Sequence, residues 1–270
     1  MNKVLSRIFK GMKSIDKKAE PDFSDVPVVE AQNDECYNQD NLRTLNNHDF
    51  MEDDQFIAAY QRGVRASGVD YRWHWRVHVG TWGALTASRL PGDFVECGVG
   101  NGFLASSILE YLNWNSLTPA RNFFLMDTFS GIDSRYLSPE EIEVKGDADT
   151  QNAAYKNAGV YASGIERVQE NFSEWSNVHI IEGPIPETLV NVQTKAVSFL
   201  HIDMNCIPPE VAAFEYFWDS VVQGGVILFD DYAYHGHTLQ KNAMDEVAAT
   251  VGHKILSLPT GQGLLIKLND

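Results

Sequence analysis

The chain has 270 residues, 44% of them hydrophobic, enough to bury the core of one catalytic-sized domain with additions. Its formal charge of −16 argues against nucleic acid as a partner, because phosphate binding needs a basic surface. Three cysteines, Cys36, Cys97 and Cys206, show no paired spacing, which argues against a disulfide framework or a zinc site and fits a reducing, cytoplasmic setting.

Residues 1–18 hold six Lys/Arg against one acid, Asp16, which leaves the rest of the chain at about −21. Val4, Leu5, Ile8, Phe9, Met12 and Ile15 stand there near helical spacing, so the stretch suits either a peripheral membrane contact or a basic tail with no docked face. It lacks the apolar run of a secretory signal, and no run approaches the ~18 apolar residues of a membrane span. From Ala19 to about Asp49 the chain is polar and acidic with no sustained period, so residues 1–50 read as a flexible arm that folding does not need.

Residues 51–91 read as a helical extension or lid, "FIAAYQRGVRASG" and then "WRVHVGTWGALTASRL", stopped at Pro91-Gly92. His74 and His78 stand four apart, a spacing that two ligands to one metal would show, but the glutamate of HExxH is absent. The interleaved Trp73, Trp75 and Trp82 point instead to packing or a substrate lid.

After Pro91 strands and helices alternate. "DFVECGV" is a strand, "GFLASSILEYL" a helix, "NFFLMDTF", "VHIIEG" and "AVSFLHIDM" strands, "PEVAAFEYFWDSVV" a helix and "GGVILFDDY" a strand. Strands so uniformly apolar indicate an α/β fold with a mostly parallel sheet covered by helices on both faces. "HKILSLPTGQGLLIKL" carries two strands joined by a loop too short for a crossover, and so predicts a C-terminal antiparallel hairpin on the sheet edge.

The first strand ends in Glu96-Cys97-Gly98-Val99-Gly100-Asn101-Gly102 and opens a helix, a turn whose glycines allow close backbone approach to a ligand. The second strand ends at Asp127, placed to accept hydrogen bonds from a ribose diol; the two together suit an adenosyl cofactor. Glu96 would favour a cationic sulfonium amino acid and oppose a pyrophosphate, which selects S-adenosylmethionine over NAD. Asp203 ends the fourth strand and Asp230 and Asp231 the fifth, so three carboxylates should converge beside the cofactor. Adjacent acids at a buried strand end need a cation, and oxygen ligands of this kind suit Mg²⁺.

The region Gly92 to Lys267 resembles the macrocin O-methyltransferase family (TylF/MycF-like), on "GDFVECGVGNG", "FLMDTFSGI", "IIEGPIPETL", "LHIDMN", "VQGGVILFDDY" and "AMDE". The resemblance implies a Rossmann-like class I methyltransferase domain over residues 92–270, with a seven-stranded sheet. It implies methylation of a sugar hydroxyl of a natural product with S-adenosylmethionine and Mg²⁺. It carries the metal ligands to Asp203, Asp230 and Asp231. The cofactor contacts fall on Glu96, Gly98, Asp127 and the Glu182-Gly183 turn, with Gly100, Ser130 and Asp203 beside them. The family reads Asp-x-Asp-x-Tyr after strand four where this chain has Asp203-Met204-Asn205-Cys206-Ile207, and its loop after "DDY" differs in Ala233-Tyr234-His235-Gly236-His237. A catechol-type lysine three residues beyond the strand-four acid is replaced by Cys206, so the expected base is His235 or His237, with Asp203 as rival. The expected partner is a small-molecule acceptor, and a homo-oligomer stays open. A catechol-type diol methyltransferase, an NAD-dependent oxidoreductase and a non-catalytic cofactor-binding protein remain the alternatives.

Overall fold

A computed structural model describes residues 36–117, 119–161 and 164–268. The basic stretch 1–18, and the part of the expected arm up to residue 35, lie outside the described residues.

The rest of that arm is structured, which corrects the expectation for residues 36–50. β1 (Tyr37–Gln39) and β2 (Leu42–Thr44) form an antiparallel hairpin. Its two-residue turn, Asp40-Asn41, has positive φ at both positions (50° and 58°), the pattern that matches the twist of paired strands. Strands of three residues are too short to show a period, which is why composition suggested a loose arm.

The helical extension consists of α1 (Asp54–Ser67) and α2 (His74–Ala87). The Asp53 carboxylate caps α1 by accepting from Phe56 N at 2.8 Å, and Gly68 closes it in the left-handed region. The two histidines of α2 point to different partners: His74 stacks on Tyr60 at 4.0 Å and His78 on Phe50 at 4.0 Å. They serve packing, and Trp82 is exposed.

The sheet comprises β3 (Asp93–Cys97), β4 (Phe123–Asp127), β5 (Val178–Glu182), β6 (Val197–Ile202), β7 (Val221–Phe229), β8 (Leu256–Ser257) and β9 (Gly263–Ile266). Its order is β5-β4-β3-β6-β7-β9-β8 with β9 antiparallel to β7 and β8, so the mostly parallel seven-stranded sheet with a terminal hairpin is present. β7 begins at Val221, three residues earlier than expected; Val221 and Val222 belong to the strand and not to the preceding helix.

Side chains alternate across this sheet as the two-residue period requires. Phe94, Phe199 and Val226 face one side, where Ala84 and Ala87 of α2, Ile108 and Leu109 of α3 (Phe103–Tyr111), and Val168 and Phe172 of α6 (Ile165–Phe172) cover them. Val95, Leu200 and Ile227 face the other, against Val211 and Phe214 of α7 (Ile207–Phe217) and Met244 and Val247 of α8 (Thr238–Thr250). Between β4 and α6 the chain inserts α4 (Pro139–Lys145) and α5 (Ala148–Asn157), which the sequence reading did not identify. A signal was present in Ser138-Pro139-Glu140-Glu141: the Ser138 hydroxyl accepts from Glu141 N at 3.1 Å, and Glu141 Oε2 accepts from Ser138 N at 3.0 Å.

Candidate active site

The carboxyl ends of β3, β4, β6 and β7 open onto one cavity of about 300 Å³. At its β3–β4 end the backbone does most of the shaping. Gly98 (φ 91°) packs so closely on the next strand that a Cβ would stand 1.7 Å from Asp203 O, so no side chain fits there. The Asp127 carboxylate accepts from Val99 N (2.7 Å), Gly100 N (2.9 Å) and Phe129 N (2.7 Å). Asp127 therefore holds the glycine turn in shape as well as lining the cavity. Burial raises its pKa against those hydrogen bonds, which lower it.

Of the expected cofactor residues, Glu96, Gly98, Gly100, Asp127, Gly183 and Asp203 line the cavity. Glu182 and Ser130 do not, which corrects their assignment: both are exposed, and the Ser130 amide donates to Thr128 Oγ1. Glu96 is 2% exposed, and its Oε2 has no hydrogen-bond partner among the described residues. Burial pushes its carboxyl pKa up.

At the other end Asp203, Asp230 and Asp231 converge as expected, and the cation facing them is Arg76 of α2. Its Nη1 pairs closely with Asp230 Oδ2 and lies 3.6 Å from Asp231 Oδ1, while its Nε lies 3.2 Å from Asp40 Oδ2. Gln262 Nε2 donates to Asp230 Oδ1 at 2.9 Å. Burial raises the Asp230 pKa, but Arg76, His201 and Gln262 outweigh it and hold this carboxyl well below the usual range. The opposite holds for Asp203, which burial and the charges of Asp230 and Asp231 push well above it. No hydrogen bond is made to the Asp203 carboxylate among the described residues.

His201 lies between Glu96 (Nδ1 to Oε1, 3.3 Å) and Asp230 (Nε2 to Oδ1, 3.7 Å). Burial alone would lower its pKa; the two acids raise it to about 10, so the ring carries a proton at neutral pH. Ligand atoms of His201, Asp203 and Asp230 fall within 4.8 Å of one another, whereas Asp231 Oδ2 faces His237 Nε2 at 3.5 Å. Within this group Asp203 and Asp230 supply the oxygen donors and His201 a ring nitrogen for which a proton and a metal would compete.

The two loop histidines separate. His237 is buried and lines the cavity, and its Nε2 makes no hydrogen bond among the described residues beyond its approach to Asp231; His235 is exposed and outside the lining, which favours His237 of the two. Burial lowers the His237 pKa, so its ring is neutral and able to take a proton. Asn205 accepts from Tyr155 OH at 3.1 Å, and Tyr155 stacks on Tyr161 at 4.7 Å, giving an aromatic wall from the β4–α6 insertion. Sequence reading missed Arg76, Asp40, His201, Gln262, Tyr155 and Tyr161. The paired acids did signal that a cation was needed, but not which residue supplies it.

Residues 81–251 match the family model described as macrocin-O-methyltransferase (TylF). Comparison with curated protein sequences gives no match. Among solved structures the chain is similar to the O-methyltransferase NovP, at 21% identity and TM-score 0.57, covering 72% of this chain and 80% of that one. It is also similar to the calicheamicin methyltransferase CalS11, at 15% identity and TM-score 0.54 over 79% and 93% of the two chains. An apo structure of CalS11, described as a TDP-rhamnose 3'-O-methyltransferase, aligns at 16% identity and TM-score 0.50 over 79% and 95%. At these identities the structures show a shared fold, while the family match spans more than half of the chain. The chain belongs to the TylF macrocin O-methyltransferase family and is an S-adenosylmethionine-dependent O-methyltransferase.

Proposed function

We propose that the acceptor is a sugar, or the sugar of a glycosylated natural product, with neighbouring hydroxyls, and that transfer uses Mg²⁺. The family description and the sugar acceptor named for CalS11 support the sugar. The observation that carries the reading is the Asp203 carboxylate, which lines the cavity with no hydrogen bond among the described residues, next to the Gly98 turn and the Asp230–Arg76 pair.

The charge balance fits a divalent cation. Among the described residues, Glu96, Asp127, Asp133, Asp203, Asp230 and Asp231 line the cavity against Arg76, the single lining Lys or Arg, and the protonated His201. Arg76 is already engaged with Asp40, Asp230 and Asp231, so negative charge stays in excess around Asp203. Asp203 and Asp230, with Asp231 beside them, would hold the ion, and their oxygens suit Mg²⁺. When bound, it would lower the pKa of an acceptor hydroxyl.

In the transfer, the acceptor oxygen bonds to the methyl carbon as the carbon–sulfur bond breaks, leaving S-adenosylhomocysteine, and the hydroxyl proton passes to a base. His237 is buried, burial lowers its pKa, and its Nε2 faces the Asp231 carboxylate at 3.5 Å, which would steady the imidazolium formed when it takes that proton, with Asp203 as rival. Glu96 would bind the cationic amino-acid end of the cofactor. The stacked pairs Tyr155–Tyr161 and Tyr71–Trp73 line the cavity and would bound the acceptor with apolar surface. Trp75 packs on Tyr37 and Phe50 outside the lining, which leaves Trp73 and Tyr234 on the cavity wall and supports a sugar over a flat aromatic acceptor.

The test is incubation with S-adenosylmethionine and a panel of glycosides and catechols, with Mg²⁺ or EDTA, read by mass spectrometry. Methylated glycoside that disappears with EDTA is expected. Methylation of catechols alone would sink the sugar reading, and full activity in EDTA would sink the metal.

A further inference from the structure

We infer that Asp40, at the tip of the β1–β2 hairpin, is a positioning residue for the acceptor-side acids and acts on them through Arg76. The inference rests on the proposed reading of Asp230 and Asp231 as acceptor-side groups.

The hairpin contributes Asp40 to a buried ion network: the side chains of Asp40 and Arg76 are 7% and 6% exposed. The two ends of one guanidinium are divided between two parts of the chain. Nε faces Asp40 of the hairpin at 3.2 Å, and Nη1 faces Asp230 and Asp231 after β7. A guanidinium is a rigid plane, so a carboxylate that fixes its Nε side also fixes where Nη1 points. Asp40 therefore sets the direction from which positive charge reaches Asp230 and Asp231.

The roof of the network is tied to the same tip. Tyr234 OH donates to Asp40 Oδ1 at 3.1 Å, Asn41 Nδ2 donates to Tyr234 OH at 2.6 Å, and the guanidinium lies 4.7 Å from the Tyr234 ring centroid. Tyr234 lines the cavity within the loop that also carries His237. Hairpin, Arg76 and loop thus form one unit around the acids. Residues 81–251 carry the family match, so Asp40 and Arg76 both lie outside the matched segment.

Asp40→Asn tests this, because the amide keeps the size of the side chain and its hydrogen bonding to Tyr234 while removing the charge. The full chain with S-adenosylhomocysteine bound is compared as wild type, Asp40→Asn and Asp40→Glu. Amide hydrogen exchange of residues 231–237 should rise at least fivefold in Asp40→Asn and return at least halfway to wild type in Asp40→Glu, with exchange of β6 unchanged in both. S-adenosylhomocysteine affinity should stay within twofold. Unchanged loop exchange in Asp40→Asn overturns the proposal, as does an equal rise in both variants, because the charge then does not matter. Mn²⁺ relaxation on the same samples tests the underlying reading separately. If wild type binds no Mn²⁺ while the exchange pattern holds, the metal reading fails and the positioning role stands.

Discussion

The two ends of the cavity are built by different means. At the cofactor end the Gly98–Gly102 turn is held by Asp127, with Gly183 beside it, so three strand ends and their own backbone amides suffice. At the acceptor end, Asp40, Arg76, Asp230 and Gln262 meet through side chains from distant parts of the chain, Arg76 and Gln262 alone standing 186 residues apart. A site made from backbone turns leaves a local trace in glycines and terminal acids. A site made from charged side chains is held by mutual compensation, so its parts should fail together and respond to pH.

The sharpest test of that difference removes the shared cation. Arg76→Met leaves Asp40, Asp230 and Asp231 buried without their partner, and stripping one member from such a cluster costs about 3 to 5 kcal/mol. Urea unfolding should show that loss at neutral pH. It should shrink as pH falls, because Asp230 loses the group that holds its pKa down and can take up a proton in the folded state. A loss independent of pH would mean that Arg76 contributes only packing.

Gly98 joins the two ends, since a Cβ there would meet Asp203 O at 1.7 Å in a left-handed backbone conformation. Gly98→Ala should cost about 2 to 3 kcal/mol of stability and weaken S-adenosylhomocysteine and Mn²⁺ together, measured by calorimetry on one preparation. Loss of cofactor affinity alone would show that the ends are independent.

Asp127→Asn probes the cofactor end by itself. One carboxylate oxygen becomes an NH₂ group that cannot accept from Val99 and Gly100 or from Phe129. S-adenosylhomocysteine binding should weaken by roughly 1 to 3 kcal/mol with Mn²⁺ affinity intact. Equal affinity in calorimetry would remove Asp127 from the cofactor site.

The same division explains what could be read in advance. The strands, their parallel order and the positions of Asp203, Asp230 and Asp231 were legible, because a buried strand must be apolar and an acid that interrupts it stands out. The Asp40-Asn41 hairpin was not, because strands of three residues carry no period. The β4–α6 insertion with Tyr155 was passed over despite its Ser138–Glu141 cap. Nothing local marks Arg76 among the Lys/Arg residues of the chain, since its role depends on where α2 docks against β6 and β7. Ser130 and Glu182 were misassigned for the reverse reason: they adjoin motif residues in sequence, but Ser130 in the loop after β4 and Glu182 at the end of β5 are both exposed and outside the cavity lining.

The smallest expected effect is a gain. Burial and the charges of Asp230 and Asp231 raise the Asp203 pKa, so its ionised form opposes folding when no ligand offsets it. Asp203→Asn should therefore stabilise the ligand-free protein at neutral pH by about 1 kcal/mol, or a Tm rise of roughly 2 to 4 °C. The sign with pH follows from proton uptake. Between the unfolded value near ~3.9 and the higher folded value, the native wild type binds more protons than its unfolded chain. Wild-type stability from this group thus falls as pH rises through that window, and the Tm advantage of the variant should grow with pH up to the folded pKa and then level off. Saturating Mn²⁺ should narrow or reverse that advantage, because a cation on Asp203 offsets the repulsion in wild type and finds one carboxylate fewer in the variant. Calorimetric scans at several pH values, with and without Mn²⁺, measure each of these changes. A variant less stable than wild type at every pH would mean that Asp203 is held by favourable contacts, and the acceptor end would then be a structural ion cluster with no excess negative charge for a metal to relieve.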